Sequence, residues 1–283
     1  MLHLAKASLI VAVCRGMISA PLAQAAGQEH VLAQLDRGIV VQPVEPGKPA
    51  PAPAAPTRLA PARPEAPGIL PDSANTAAPI RVAALDGQTS YFAGLSLQTR
   101  FEVVPPGANP DVVWDPATRD VLSGSVVVAR DVDRDSLSGV IERTAAVRWL
   151  TLRTRIAPQA IRVIPDDALH RRGSRVEIDV ENLAGRSLIL FNISGDGTVQ
   201  LLYPLGSDAS MVSDAKYSLQ LQVRDPLGAD QIVAVTATRP LPEVEQAIRR
   251  LDRRRTPMRI CEQINQYATP DTRVGMVSLL TAP

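Results

Sequence analysis

Two cysteines and three histidines are the side chains with the strongest potential for nucleophilic or metal chemistry in this chain. Cys14 follows an apolar stretch in LIVAVCRG, a context typical of a cysteine peptidase nucleophile. Only His3 precedes it as a base, and no room remains upstream for a peptidase sheet. Cys261 lies on the apolar side of a helical pattern, which predicts a buried thiol.

The remaining candidates do not complete a reactive site. His170 stands in the basic segment HRRGSR and is expected to be a solvated turn residue. Only His30 accompanies it after residue 25, so a zinc site or a Ser-His-Asp triad has few candidates. Asp131, Asp133 and Asp135 alternate as at the start of a calcium loop, but the required later Gly and Glu are absent. The sequence therefore predicts a non-enzyme without catalytic residues, cofactors or bound metal.

One charge feature stands out, the run RRLDRRR at the end of a predicted helix. Cations are favoured there by the helix dipole, so a solvated surface is one interpretation. The other is partner binding, by an acidic protein or by peripheral contact with an anionic membrane surface. The predicted partner-binding residues, called the arginine cluster below, are Arg249, Arg250, Arg253, Arg254 and Arg255.

Bulk composition excludes some classes of partner. The formal net charge is +1 and aromatic residues make up 3% of the chain, which argues against nucleic acid as a partner. Hydrophobic residues make up 45%, as is typical of a globular protein.

The first 25 residues have the parts of a signal peptide. Lys6 gives a positive start, residues 7–14 are apolar, and Ala23-Gln24-Ala25 is a small-x-small cleavage site. Eight residues of helix span only about 12 Å, too little for a membrane anchor. We therefore expect a periplasmic or secreted protein whose mature chain begins near Ala26.

Residues 26–79 are predicted to be a disordered tether rich in proline and alanine. Eleven prolines lie between residues 43 and 79, a composition that favours extended polyproline structure over a packed core. A passive spacer and a ligand for a proline-binding module are both open interpretations.

Two folded units are predicted after the tether, giving an α+β protein. Residues 80–165 show short strands and a helix that begins at Asp135 or Ser136, typical of a small mixed α/β unit. In that helix, an apolar face holds Leu137, Val140, Ile141, Ala145 and Leu152.

Residues 170–283 predict an antiparallel, β-sandwich-like domain with two C-terminal helices. A hairpin is expected at residues 187–204 around the loop Ser194-Gly195-Asp196-Gly197. Alternation at residues 175–182 predicts a half-buried strand with Glu177, Asp179 and Glu181 facing outward. After residue 240 the apolar period becomes helical.

The stretches RVEIDVENLAGRSLILFNISGDGTVQLLYP and GADQIVAVTATRPL resemble the uncharacterised β-rich domain that follows caspase-like, metacaspase-type peptidase domains in bacterial proteins. DVVWDPATRDVLSG resembles segments found between that peptidase and this domain. The resemblance covers about residues 80–283, without the peptidase itself. It implies a fold and an association with caspase-like proteins, but no activity.

These observations predict an exported, non-enzymatic binding or accessory module, with a protein partner in the cell envelope or beside a caspase-like protease. Two alternatives stay open. One is the accessory half of a caspase-like peptidase that needs a partner chain, and the other is a structural envelope protein.

Overall fold

A computed structural model describes residues 40–42, 78–206 and 208–283 of the chain. The predicted signal peptide and most of the predicted tether lie outside these residues, together with Cys14 and His30. Within the described ranges, no helix is long and apolar enough to cross a membrane. Helices and several antiparallel-rich sheets are combined, which confirms the predicted α+β class.

The strands and helices have the following bounds. The strands are β1 (Val40–Gln42), β2 (Ile80–Ala84), β3 (Phe101–Val103), β4 (Val112–Trp114), β5 (Val121–Ser123), β6 (Val126–Ala129), β7 (Ile161–Ile164), β8 (His170–Arg171), β9 (Arg175–Glu181), β10 (Arg186–Ile193), β11 (Val199–Tyr203), β12 (Met211–Val212), β13 (Lys216–Gln222), β14 (Ala229–Ala237) and β15 (Arg273–Ala282). The helices are α1 (Leu137–Ile156), α2 (Pro242–Leu251) and α3 (Pro257–Tyr267), with short 3-10 helices at Thr89–Phe92 and Arg134–Ser136. β1 lies inside the predicted tether, in a stretch to which the sequence assigns no strand.

Strands β2 to β6 form a sheet of their own, in the order β3-β2-β4-β5-β6. β2 is parallel to β3 and β4, and the other pairs are antiparallel. The mixed strand direction predicted for the first unit is thereby confirmed.

Helix α1 begins where it was predicted, with Ser136 at its N-cap position, although the Ser136 side chain makes no capping hydrogen bond. Asp133 instead caps the preceding 3-10 helix, since its side chain accepts a hydrogen bond from the Ser136 backbone nitrogen at 2.8 Å. Leu152, expected on the apolar face, is 50% exposed, whereas Leu150 is fully buried. The predicted face was therefore wrong in its last turns, because the helix packs on two cores in succession.

The central hairpin is confirmed, with β10 and β11 paired antiparallel around residues 194–197. It belongs to a six-stranded sheet with the path β11-β10-β14-β15-β8, to which β12 adds beside β10. Every residue of β10 is buried, since alternate side chains enter cores on opposite faces of the sheet. Leu188 and Leu190 face one core, and Ile189 and Phe191 face the other.

A second sheet in the order β1-β13-β9-β7 covers one face of the six-stranded sheet. Ile178 of β9 and Leu221 of β13 pack there against Leu190 of β10. The sandwich-like arrangement follows from the inward-facing apolar residues of both sheets.

The three helices cover the opposite face of the six-stranded sheet. Val244 of α2 and Ile264 of α3 share its core with Ala146 and Leu150 of α1. The first half of α1 packs instead on the sheet of β2 to β6, through Leu137 and neighbouring residues. Core packing thus crosses the predicted boundary between residues 165 and 170.

Candidate functional site

Cys261 and His170, the cysteine and the histidine within the described ranges, are both buried. Cys261 on α3 is 2% exposed, and burial raises the pKa of its thiol, so it stays protonated at neutral pH. His170 is 5% exposed on β8, beside Thr281 of β15. The expectation that His170 is a solvated turn residue was therefore wrong. Residues 40–42, 78–206 and 208–283 contain no group of three acidic, histidine or cysteine side chains placed to hold a metal ion.

The arginine cluster divides into two sets. Helix α2 ends at Leu251, so only the first two arginines of the cluster are helical. Arg249 forms an ion pair with Glu245 at 3.0 Å and donates to the Pro204 carbonyl at 2.8 Å. Arg255 donates to an Asp196 carboxylate oxygen at 3.0 Å and to the Ser136 hydroxyl at 2.6 Å. Arg249 and Arg255 therefore each join segments that lie far apart in the sequence.

The other three, called the exposed arginines below, are Arg250, Arg253 and Arg254. The side chains of Arg250 and Arg254 make no hydrogen bond or ion pair with another described residue. The Arg253 side chain is 58% exposed, and among the described residues its ion-pair partner is Asp252, at 4.0 Å. A positive field of this kind is available to an acidic ligand.

The loop at residues 252–254, which carries two of the three exposed arginines, is hydrogen-bonded to the edge strand β11. The Arg253 nitrogen donates to the Val199 carbonyl at 2.7 Å, and the Val199 nitrogen donates to the Arg254 carbonyl at 2.9 Å. Asp252 accepts from the Leu201 nitrogen at 2.9 Å. Arg253 adopts φ = 61°, a left-handed conformation that is unfavourable for this side chain. The loop is thus held in a conformation it would not prefer alone.

Hydrogen bonds to the Asp196 side chain stabilise the hairpin loop at residues 194–197. The Asp196 carboxylate accepts hydrogen bonds from Ser194 Oγ at 2.6 Å and from the Thr198 nitrogen and Oγ1 at 3.0 Å. Burial alone would raise the pKa of Asp196, but these hydrogen bonds and Arg255 lower it below its ordinary value. Asp196 is therefore a structural anion at neutral pH.

Glycines let this loop approach the first sheet and α1 closely. A Cβ at Gly195 would collide with the Val128 carbonyl of β6, and a Cβ at Gly197 with the Gly139 backbone of α1. Gly139 in turn faces the Asp196 carbonyl and Arg255. The loop and these neighbours form what we call the junction, defined by Val128, Gly139, residues 194–197 and Arg255.

Beside the junction lies a buried polar group that the sequence prediction missed. Asn192 Nδ2 donates to Asp230 Oδ1 at 3.3 Å, and Arg143 donates to the Ala229 carbonyl. Burial raises the pKa of Asp230 to about 7, opposed by the Asn192 hydrogen bond and Arg143 and reinforced by Asp196. Burial also lowers the pKa of Arg143 to about 10. Polar residues inside the apolar strands, in LFNI and ADQIV, were the available signal.

The polar face of the four-stranded sheet holds a second ionic group. Asp179 accepts hydrogen bonds from Arg162 at 3.0 Å and Ser218 at 2.6 Å, and it pairs with Lys216 at 2.8 Å. Asp179 does lie on the face opposite Val176, Ile178 and Val180, as predicted, but its side chain is 0% exposed. The long side chains of neighbouring strands cover it.

A shallow cleft of about 410 Å³ lies between the end of α1 and the turn before β15, lined by residues 157–158 and 270–273. Its carboxylate, Asp271, already accepts from the Thr238 nitrogen at 2.6 Å and Thr269 Oγ1 at 2.8 Å. Burial would raise the pKa of Asp271, but these bonds lower it to about 2. This carboxylate is therefore not poised for acid–base chemistry at neutral pH.

Comparisons with known proteins add no relative: no protein-family model matches the chain, and the search of curated proteins finds no similar sequence. The resemblance of residues 80–283 to the domain beside caspase-like peptidases accordingly stays a prediction.

Proposed function

We propose that this chain is an exported, non-enzymatic binding module that recognises an acidic surface of a protein partner through the exposed arginines Arg250, Arg253 and Arg254. One observation carries the proposal. The backbone at residues 253–254 forms two hydrogen bonds with Val199 of β11, one to its carbonyl and one from its nitrogen. The exposed side chains of Arg253 and Arg254 form few hydrogen bonds or ion pairs with the described residues. A preorganised loop binds with a smaller entropy loss than a mobile one.

Arginine suits this role because its planar guanidinium can bind a carboxylate through two parallel hydrogen bonds. The neighbouring Asp252 is engaged with the β11 backbone, so its charge is partly used within the fold. An acidic protein segment fits this surface. A setting beside a caspase-like protease or in an envelope complex rests on the resemblance of residues 80–283 and belongs to the same proposal, as does a periplasmic or secreted location.

The test uses the purified chain and a fluorescent poly-glutamate peptide as the acidic probe. We expect R250E, R253E and R254E in combination to weaken probe binding at least tenfold, about 1.4 kcal/mol, and moderate salt to weaken wild-type binding. Fluorescence anisotropy measures the affinity, and circular dichroism verifies that the fold is kept.

The matched control reverses three other exposed arginines, R100E, R175E and R239E, which gives the same change in net charge at scattered positions. Equal losses in both triple variants would show that the probe responds only to net charge and would overturn the assigned surface. Binding of anionic lipid vesicles but not of the peptide would replace the protein partner by a membrane surface.

A further inference from the structure

Apolar side chains are exposed together at the C-terminal end of α1. Leu152, Ile156 and Tyr267 are 50%, 44% and 37% exposed, and they are three of the eight large apolar side chains that are exposed among the described residues. Leu152 and Ile156 lie one helical turn apart, and Trp149, seven positions before Ile156, lies on the same side of α1. Trp149 is partly buried against the core beneath the helices. We call Trp149, Leu152, Ile156 and Tyr267 the apolar patch.

Tyr267 belongs to this patch because α1 and α3 run side by side in the same direction. The Cys261 thiol of α3 lies 4.0 Å from the Ala146 carbonyl of α1. Beyond the ends of both helices, Pro158 pairs with Val274. Since these contacts advance along both segments together, Tyr267 at the end of α3 lies beside the last turns of α1.

The same end of α1 carries positive charge that the fold does not neutralise. Residues 143–165 contain five arginines and no acidic residue. The guanidinium carbon of Arg153 lies over the tryptophan ring of the patch, 5.6 Å from the ring centre. Among the described residues, Arg153, Arg155 and Arg273 form no ion pair with an acidic side chain. Asp271, in the cleft beside Arg273, already accepts hydrogen bonds within the fold.

An anionic membrane surface fits these features better than a protein does. A stable protein interface buries about 1,200–2,000 Å² in total, which four side chains do not supply. A lipid surface has no fixed shape, and a helix face binds it through a few inserted apolar side chains and through attraction between cationic residues and anionic headgroups. Tryptophan and tyrosine favour the boundary between headgroups and acyl chains, because the ring is apolar while its N–H or O–H group stays hydrated. A second copy of this chain would instead place like charges opposite one another.

We propose that the apolar patch is a peripheral membrane-contact site for anionic lipids. Leu152 and Ile156 insert among the lipids, and Arg155 contacts the headgroups from the same end of α1. The site uses different residues from the exposed arginines and does not depend on the proposed function.

Vesicle sedimentation with the full chain tests the site. We expect binding to phosphatidylglycerol vesicles and little binding to phosphatidylcholine vesicles. L152Q/I156Q should weaken binding about tenfold or more, because it removes the inserted apolar groups. The matched control, L85Q/L169Q, replaces two exposed leucines elsewhere and should bind nearly as well as the wild type. Equal losses in the two variants would overturn the assigned site, and circular dichroism verifies that each variant is folded.

Tryptophan fluorescence reports whether the patch itself enters the lipid. The chain has two tryptophans, and Trp114 is buried in the sheet of β2 to β6. Phosphatidylglycerol vesicles should shift the emission to shorter wavelength, and brominated phosphatidylglycerol should quench it. W149F should abolish both changes. Vesicle binding with unchanged emission and no quenching would overturn insertion at this site.

Two further measurements separate this site from the exposed arginines and from a protein partner. R250E/R253E/R254E should keep the emission shift at saturating vesicle concentration, because the variant leaves the apolar patch intact. Loss of the shift in that variant, with L152Q/I156Q unaffected, would overturn the proposal and place the membrane contact at the exposed arginines. Binding of an acidic amphipathic helical peptide but not of vesicles, sensitive to L152Q/I156Q, would also overturn it, in favour of a protein partner.

Discussion

Arg254 and Arg255 are neighbours in sequence and differ completely in environment. The Arg255 guanidinium joins the hairpin loop to α1 through Asp196 and Ser136, whereas that of Arg254 has no described partner. The contrast extends to the regions around them. In the junction, the charges of Arg255 and Asp196 are paired with each other. In the loop at residues 253–254, the arginine side chains are exposed while the backbone is hydrogen-bonded to β11. A run of like charges is therefore not one functional unit.

The comparison separates residues that hold the fold from residues free to bind. Removing a group from the junction leaves a buried partner or forces two backbones apart, so the free energy of unfolding should fall. Removing an exposed arginine should leave that free energy nearly unchanged and alter binding. The predictions below test this separation, from the largest expected change in stability to the smallest.

Gly197→Ala should have the largest effect. Gly197 has φ = 85° and its missing Cβ faces the Gly139 backbone of α1. We expect a loss of about 2–4 kcal/mol in the free energy of unfolding, because backbone strain and a backbone collision combine. Urea denaturation followed by circular dichroism measures it.

Gly124→Ala is the matched control, since Gly124 has a positive φ of 59° but open space around its missing Cβ. It should show the conformational strain without the collision, and so a clearly smaller loss. Equal losses in the two variants would mean that the close approach of the loop to α1 contributes nothing to stability.

Asp230→Asn tests whether the buried carboxyl group of Asp230 makes the stability of the protein depend on pH. The pKa of Asp230 is raised from 3.8 to about 7 in the folded protein, chiefly by burial. Between about pH 4 and 7 the unfolded chain loses this proton and the folded chain keeps it. The contribution of this group to stability should therefore fall as the pH rises across that interval.

The asparagine variant lacks this contribution and keeps an oxygen that can accept from Asn192. Its stability relative to the wild type should therefore increase steadily from pH 4 to pH 7, as measured by chemical denaturation across that range. Parallel pH profiles of the two proteins would show that Asp230 does not carry a raised pKa.

The fold was more accessible from the sequence than the candidate site. Alternation at residues 175–182 and the Gly-Asp-Gly loop predicted their strands correctly, because one buried face imposes a period of two. The sequence did not predict that Asp179 would be covered, since the side chains that enclose it come from other strands. Nor could it pair Arg255 with Asp196, which lie 59 positions apart.

β1 was missed for a related reason. Three residues are too few for a period to be recognised, and the prolines that follow them indicate extended chain without a partner. The pairing depends on the edge of β13, which is formed by residues far along the chain. Long-range pairing of this kind leaves no local signal.

The final prediction compares Arg255→Glu with Arg254→Glu, two identical charge reversals at adjacent positions. Arg255→Glu places a carboxylate beside Asp196 and removes the hydrogen bond to Ser136, so the junction loses its attraction and gains a repulsion. Because the Arg255 side chain is 46% exposed, solvent screens both terms. We expect a loss of about 1 kcal/mol in the free energy of unfolding.

Arg254→Glu should change that free energy by less than about 0.5 kcal/mol, since no described residue depends on its guanidinium. Binding of the acidic peptide should respond in the opposite order, falling more for Arg254→Glu than for Arg255→Glu. Both the free energy of unfolding and the peptide affinity are measured on each of the two variants. Because the two charge reversals are identical, each variant serves as the control for the other. If both variants lose stability equally, or if peptide affinity falls more for Arg255→Glu, the division of the arginine cluster into structural and binding residues is wrong.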